Sequence, residues 1–200
     1  KLNFQQTHTP RNMSVALLLQ GGIGRYMYAS TYNYIDTFVG PTYDMAYVDT
    51  IALPLLSTDT LDAFSVGSEY TRVEKTLQVA KVPGSYKFLD VCVNARNTSS
   101  YINCSMCWKC LRTLATLEIA GNLENYSTSF DLDIYKSRRA KYFTTLIESD
   151  DPLLREIVQF AKERNYSLLP SANDIHSSAS SLMARRMTDK AKRLMNKVGL

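Results

Sequence analysis

Cys92-x11-Cys104-Ser105-Met106-Cys107-Trp108-Lys109-Cys110-Leu111-Arg112-Thr113 contains every cysteine of a 200-residue chain. Four thiolates at this spacing suit a tetrahedral divalent ion, and zinc is the natural occupant. The Cys104-x2-Cys107 pair forms a tight knuckle able to bring two sulfurs to one ion at about 2.3 Å. Cys110 follows where the knuckle runs into a helix. Cys92 lies upstream in residues 88–93, whose composition reads as a strand. One ion would pin strand, loop and helix together. Four cysteines close the coordination shell, so the metal is expected to be structural rather than a Lewis acid. Three other readings of the run stay open. They are an iron–sulfur cluster, which also takes four thiolates, four free thiols, and a disulfide, which the crowding of three cysteines into seven residues strains.

Composition sets wide bounds. Hydrophobic residues make up 45% and charged residues 21%, as in an ordinary globular protein. The longest apolar run, 15–19, is far too short to span a bilayer, so no membrane role is expected. No signal-like segment is present, and a cytoplasmic location is expected. The net charge of +4 points only weakly to anions. The 13 tyrosines read as strand and core residues rather than a base-stacking surface. The triplets beginning at Asn12, Asn97 and Asn103 match the glycosylation pattern by chance.

Helix and strand signals alternate along the chain, which predicts an α/β fold. Thr9 and Pro10 read as a helix start, and Gly21-Gly22 as its end. A buried strand is expected over 25–32, then a long irregular connection over 33–49. Residues 51–56, with Pro54, read as a short edge strand, and Thr58 as the cap of a helix reaching Phe64. Thr71 and Glu74 form a capping box for a helix that runs to Val82 before Pro83-Gly84. After the cysteines a helix ends at Gly121. Asp151 and Pro152 start another that runs to Arg164, and a last helix is expected over 178–196.

The cysteine run resembles the zinc module of 7-cyano-7-deazaguanine synthases, members of the adenine-nucleotide α-hydrolase (PP-loop ATP pyrophosphatase) superfamily. It is closer still to relatives carrying Cys-x2-Cys-x-Lys-Cys-Leu-Arg-Thr before a Leu-Glu helix, here Leu117-Glu118. Tyr28-Ala29-Ser30 and Arg72-Val73-Glu74-Lys75 are similar to the same group, so the likeness covers residues 10–121. It implies a Rossmann-like (HUP-type) parallel sheet, incomplete in this chain, with a four-cysteine zinc module and a helical C-terminal extension. The implied divisions are 1–90, 91–121 and 122–200. The implied chemistry is adenylation of a small carboxylate or amide by ATP and magnesium, with release of pyrophosphate, in a homodimer. The Ser-Gly-Gly-x-Asp-Ser loop that holds ATP phosphates in such enzymes is missing. Gly21-Gly22-Ile23-Gly24 is a helix end, and the loop is expected N-terminal to Lys1.

The candidate binding residues are Ser30, at a strand end, Arg72 and Lys75, in a helix first turn, and Arg112, beside the cysteines. A bound anion would explain cations where the helix dipole disfavours them. Against this stand a local turn bond for Ser30, a solvated basic face for Arg72 and Lys75, and neutralisation of a doubly negative zinc tetrathiolate by Arg112 with Lys109. Arg11, near the first helix start, is open to both readings. His8 and His176 read as surface residues. Two basic clusters, one of Lys136, Arg138, Arg139 and Lys141 and one running from Arg185 to Lys197, make the competing function a non-catalytic, zinc-stabilised module for nucleic acid or a protein partner. Solvated helix faces are the simpler account of both clusters. The lack of aromatics from Ser167 onward opposes single-strand stacking.

Overall fold

The computed structural model describes residues 3–94 and 100–169. The helix expected over 178–196, its basic cluster, His176 and the Asn97 triplet lie outside the described residues. The chain divides into two compact units, one ending at Lys75 and the other beginning at Thr76. No helix among the described residues is long and apolar enough to cross a membrane.

The first unit is a mixed helix–sheet layer. Helix α1 (His8–Leu18) starts two residues earlier than the Thr9-Pro10 signal indicates, with Thr7 at the N-cap. Pro10 still falls in the first turn, where its missing N–H removes no helical bond. Strand β1 (Arg25–Ala29) follows, and Ser30 leads the chain away from it. The 33–49 connection is irregular as expected, carrying two short 3-10 turns (Tyr34–Asp36 and Met45–Val48).

The next two elements are exchanged relative to expectation. Residues 51–56 lie not in a strand but mostly in helix α2 (Asp49–Leu55). Residues 58–64 are not a helix but lead into strand β2 (Asp62–Val66). Thr58 caps no helix; its hydroxyl accepts the Leu61 N–H at 3.2 Å, closing a turn before the strand. A short apolar run carries no decisive period. Pairing decides: β2 lies parallel to β1, with Arg25 opposite Asp62 and Ala29 opposite Val66. Parallel strands need a crossover rather than a tight turn, and α2 lies within it. Met13, Ala16, Leu53, Leu61 and Ala63 form the core beneath.

Helix α3 (Arg72–Ala80) begins with the expected capping box. The Thr71 N–H donates to Glu74 Oε2 at 2.7 Å, and the Glu74 N–H to Thr71 Oγ1 at 3.1 Å.

The second unit is helical. After the single turn α4 (Ser85–Phe88) the chain leaves in extended backbone at Leu89, but the expected strand over 88–93 is not formed, since no partner strand lies beside it among the described residues. The remaining α-helices among the described residues are α5 (Trp108–Ile119), α6 (Leu132–Glu148) and α7 (Pro152–Glu163). Asp151 caps α7 by accepting the Leu153 N–H at 2.8 Å, with Pro152 first in the helix. Helix α5 ends in a Schellman motif at Gly121 (φ +74°), where Asn122 N–H reaches Leu117 O at 2.8 Å. Asn165 (φ +53°) does the same after α7.

Arg139 does not belong to a solvated basic face. Its Nε donates to Glu118 Oε1 at 2.6 Å, and Glu118 also accepts from Tyr166 at 2.6 Å and from Tyr135 at 2.5 Å. Lys136, Arg138 and Lys141 remain exposed on α6. The half-buried carboxylate thus joins α5, α6 and the segment after α7. Leu114, Leu117, Tyr126, Phe130 and Tyr135 fill the adjoining core.

Candidate metal centre

The knuckle between Cys104 and Cys107 depends on a backbone reversal at Ser105. Its φ of +56° is a left-handed conformation that costs a side-chain-bearing residue roughly 1–2 kcal/mol. Burial and a hydrogen bond hold it there: the Asp131 N–H donates to Ser105 Oγ at 2.8 Å. Cys107 then serves as N-cap of α5, and Cys110 sits in that helix's first turn. The positive end of the helix dipole therefore faces the sulfurs.

Cys92 arrives by a different route. Its segment is tied to the knuckle by the buried amide of Asn103. Asn103 Oδ1 accepts the Val91 N–H at 2.9 Å, and Nδ2 donates to the Leu89 and Ser129 carbonyls at 2.7 and 3.1 Å. The triplet starting at Asn103 is thus a structural clamp, and its engaged amide fits the reading of the glycosylation pattern as chance.

All four Sγ atoms lie within 4.8 Å of one another. Cys104 and Cys110 are 3.9 Å apart and Cys107 and Cys110 3.4 Å. Tetrahedral geometry with bonds of about 2.3 Å requires sulfurs about 3.8 Å apart. The thiols are free, so the disulfide reading does not hold. The donor set fits one zinc-sized ion. Main-chain N–H groups point at the sulfurs as well: Asn94 and Cys104 donate to Cys92 at 3.2 and 3.4 Å, and Cys107 to Cys104 at 3.3 Å. Such donors stabilise thiolates and orient them.

Burial raises the Cys92 thiol above its ordinary value. It raises Cys110 as well, helped by its bond with Cys107 and by the neighbouring sulfurs' charge. At Cys107 burial also acts upward, but the N–H groups of Cys110 and Val93 and the neighbouring thiols outweigh it and bring the group to about 7. Without a cation only part of the cluster ionises near neutrality. A divalent ion is what lets four thiolates share so small a volume.

Arg112 is buried on α5, its guanidinium 5.1 Å from the centre of the exposed Trp108 ring, while Lys109 Nζ lies 5.4 Å from the same centre. Both cations therefore lie beside the thiol cluster in sequence and on the indole in space.

The first unit brings the other three candidates together. Ser30 follows β1 and Gly67 follows β2, at the carboxyl ends of the parallel pair. Lys75 Nζ donates to Ser30 Oγ at 2.5 Å and to its carbonyl at 3.2 Å. Arg72 donates to the carbonyls of Ser30 and Thr31 at 3.1 Å each. Gly67 has φ +83°, and a β-carbon there would stand 3.4 Å from Lys75 Cε and 3.6 Å from Ser30 Oγ. Arg11 is no part of this group; it is exposed and lies over the Phe4 ring at 4.8 Å.

His8 is not a surface residue. It is buried, with Nε2 3.1 Å from Asp44 Oδ1 and Nδ1 3.0 Å from the Tyr28 hydroxyl. Thr9 beside it donates to Asp49 Oδ1 at 2.7 Å, and Asp49 Oδ2 has no hydrogen-bond partner among the described residues. Burial raises the Asp49 carboxyl above its usual range; the Thr9 bond and His8 oppose that rise, and Asp44 adds to it. No local signal marks this network. His8 and Thr9 come from α1, Tyr28 from β1 and the two aspartates from the 33–49 connection and the start of α2.

A comparison with protein-family models, curated proteins and solved structures finds no match to this chain.

Proposed function

We propose that the chain is the zinc-bearing part of an ATP-dependent adenylating enzyme resembling the 7-cyano-7-deazaguanine synthases, built on a Rossmann-like sheet. The observation that carries the reading is the cluster of Ser30, Gly67, Arg72 and Lys75 at the carboxyl ends of two parallel strands. Open α/β sheets bind ligands at that edge. Arg72 and Lys75 bring two positive charges to the place where a phosphate or an adenylate would develop negative charge. The left-handed glycine lets a main chain approach closely there. ATP, with magnesium, supplies the adenylyl group; a carboxylate oxygen attacks the α-phosphorus, pyrophosphate leaves, and a nucleophile then displaces AMP. Zinc on Cys92, Cys104, Cys107 and Cys110 acts only in holding the fold. Sγ atoms this close favour a single ion over a cluster in which each thiolate bonds its own iron. A cytoplasmic location accords with reduced thiols.

The test is pyrophosphate release from ATP by the full-length protein across a panel of small carboxylates. Arg72→Ala and Lys75→Ala should each lower kcat/KM by roughly 30-fold, which corresponds to about 2 kcal/mol of lost charge-assisted bonding. Zinc content and circular dichroism should be unchanged in both variants. No release with any carboxylate would replace this reading with that of a non-catalytic binding module. Metal analysis is a separate arm: iron with sulfide, instead of zinc, would overturn the zinc assignment alone.

A further inference from the structure

Ser30 and Lys75 meet where the chain leaves β1. The Ser30 N–H donates to Val66 O at 2.9 Å, which fixes the residue at the carboxyl end of the parallel pair. Ser30 is buried, at 4% exposure, so little water surrounds its hydroxyl. Lys75, in the opening turn of α3, places Nζ 2.5 Å from Ser30 Oγ and 3.2 Å from the Ser30 carbonyl. A hydroxyl and an amine within hydrogen-bond reach have the geometry of a nucleophile and its base.

The surroundings suit that pairing. Arg72 already holds the main chain here through the carbonyls of Ser30 and Thr31, at 3.1 Å each. The contact of Lys75 with the hydroxyl is therefore more than a clamp on the loop. A second cation beside a lysine is one of the ways in which its amine is made available as a base. No side chain from Gly67 fills the space beside the two reacting atoms, where a β-carbon would stand 3.6 Å from Ser30 Oγ and 4.0 Å from Lys75 Nζ.

We propose that Ser30 is a nucleophile toward activated acyl groups, with Lys75 as its base. The substrate class is an ester or a similarly activated derivative of a small carboxylic acid. Ser30 Oγ bonds to the acyl carbon and its proton passes to Lys75 Nζ. The bond to the leaving group breaks, and Lys75 returns the proton to that group. Water then attacks the acyl ester on Ser30, one of its protons passes through Lys75 to Ser30 Oγ, and the acid is released. Arg72 supplies positive charge beside the oxyanion formed in each half. The reaction shares residues with the adenylating reading but needs no ATP, so either can fail without the other.

A fluorophosphonate probe added without ATP to the full-length, zinc-loaded protein should bond through phosphorus to Ser30 Oγ, with release of fluoride. Peptide mass spectrometry of the unaltered chain locates the adduct and requires no variant. Ser30 in the urea-unfolded chain should take no label. Lys75→Arg keeps the charge and the donors but cannot act as a base. With circular dichroism and zinc content unchanged, it should slow labelling by roughly 100-fold or more. Hydrolysis of p-nitrophenyl acetate without ATP should fall by a similar factor in Ser30→Ala. No adduct on Ser30, equal labelling of the unfolded chain, Lys75→Arg reacting at the unaltered rate, or ester hydrolysis that ignores Ser30→Ala would each overturn the proposal.

Discussion

Asn103→Ala tests how the metal centre is held. The substitution removes three hydrogen bonds to main-chain groups, those of Val91 N–H, Leu89 O and Ser129 O. The Ser129 carbonyl keeps a bond from the Asn103 main-chain N–H at 3.2 Å, so its loss is the smallest. The Leu89 carbonyl and Val91 N–H lose their side-chain partner where water has only partial access. At about 1 kcal/mol for each bond, and slightly more for groups left poorly hydrated, the total is about 2–3 kcal/mol. Leu89 and Val91 lie within three residues before Cys92, so the loss falls on the segment that delivers the fourth sulfur. The folded, metal-bound state bears this cost and the unfolded chain does not. Zinc affinity should therefore fall roughly 30- to 140-fold, at 1.4 kcal/mol per factor of ten. Competition against a chromophoric chelator measures the affinity, and guanidinium unfolding of the zinc-loaded chain measures stability. An affinity within about threefold of the unaltered protein, a difference under 1 kcal/mol, would show that the amide is no clamp.

Three further outcomes are expected. Cys107→Ser should abolish stoichiometric zinc and unfold the second unit, because structural zinc supplies about 10–16 kcal/mol of folding free energy in small zinc modules; elemental analysis with circular dichroism reads both, and a folded, zinc-free variant would contradict it. Asp49 has a folded pKa raised by burial above its ordinary 3.8, so the native state holds the proton more tightly than the unfolded chain does. Its contribution is therefore greatest below that ordinary value and declines as pH rises toward the raised one; Asp49→Asn should remove this slope from urea midpoints measured over the acidic range, and an unchanged slope would count against it. Glu118→Ala leaves the half-buried Arg139 without its carboxylate and should cost about 1.5–3 kcal/mol, the range for hydrogen bonds to charged groups. In that case Glu118→Ala/Arg139→Ala should lose less than the sum of the two single changes, and strict additivity would remove the pair from the account.

The residues by themselves determined what nearby atoms can satisfy. The Thr71–Glu74 box, the Asp151–Pro152 start and the glycine end at Gly121 close within a few positions of chain, so their chemistry is visible in order of residues. The four thiols likewise declared a donor set through spacing alone. Tertiary structure decided everything that needed a distant partner. Residues 51–56 and 58–64 exchanged helix and strand because the register of β2 on β1 outranks the weak preference of a short apolar run. His8 was drawn inward by Tyr28 and Asp44, and Arg139 by Glu118, since a buried polar group follows its partner and not its position in the chain. The role of Asn103 follows the same rule: its three acceptors and donors come from segments up to 26 residues away, and only folding brings them within hydrogen-bond reach.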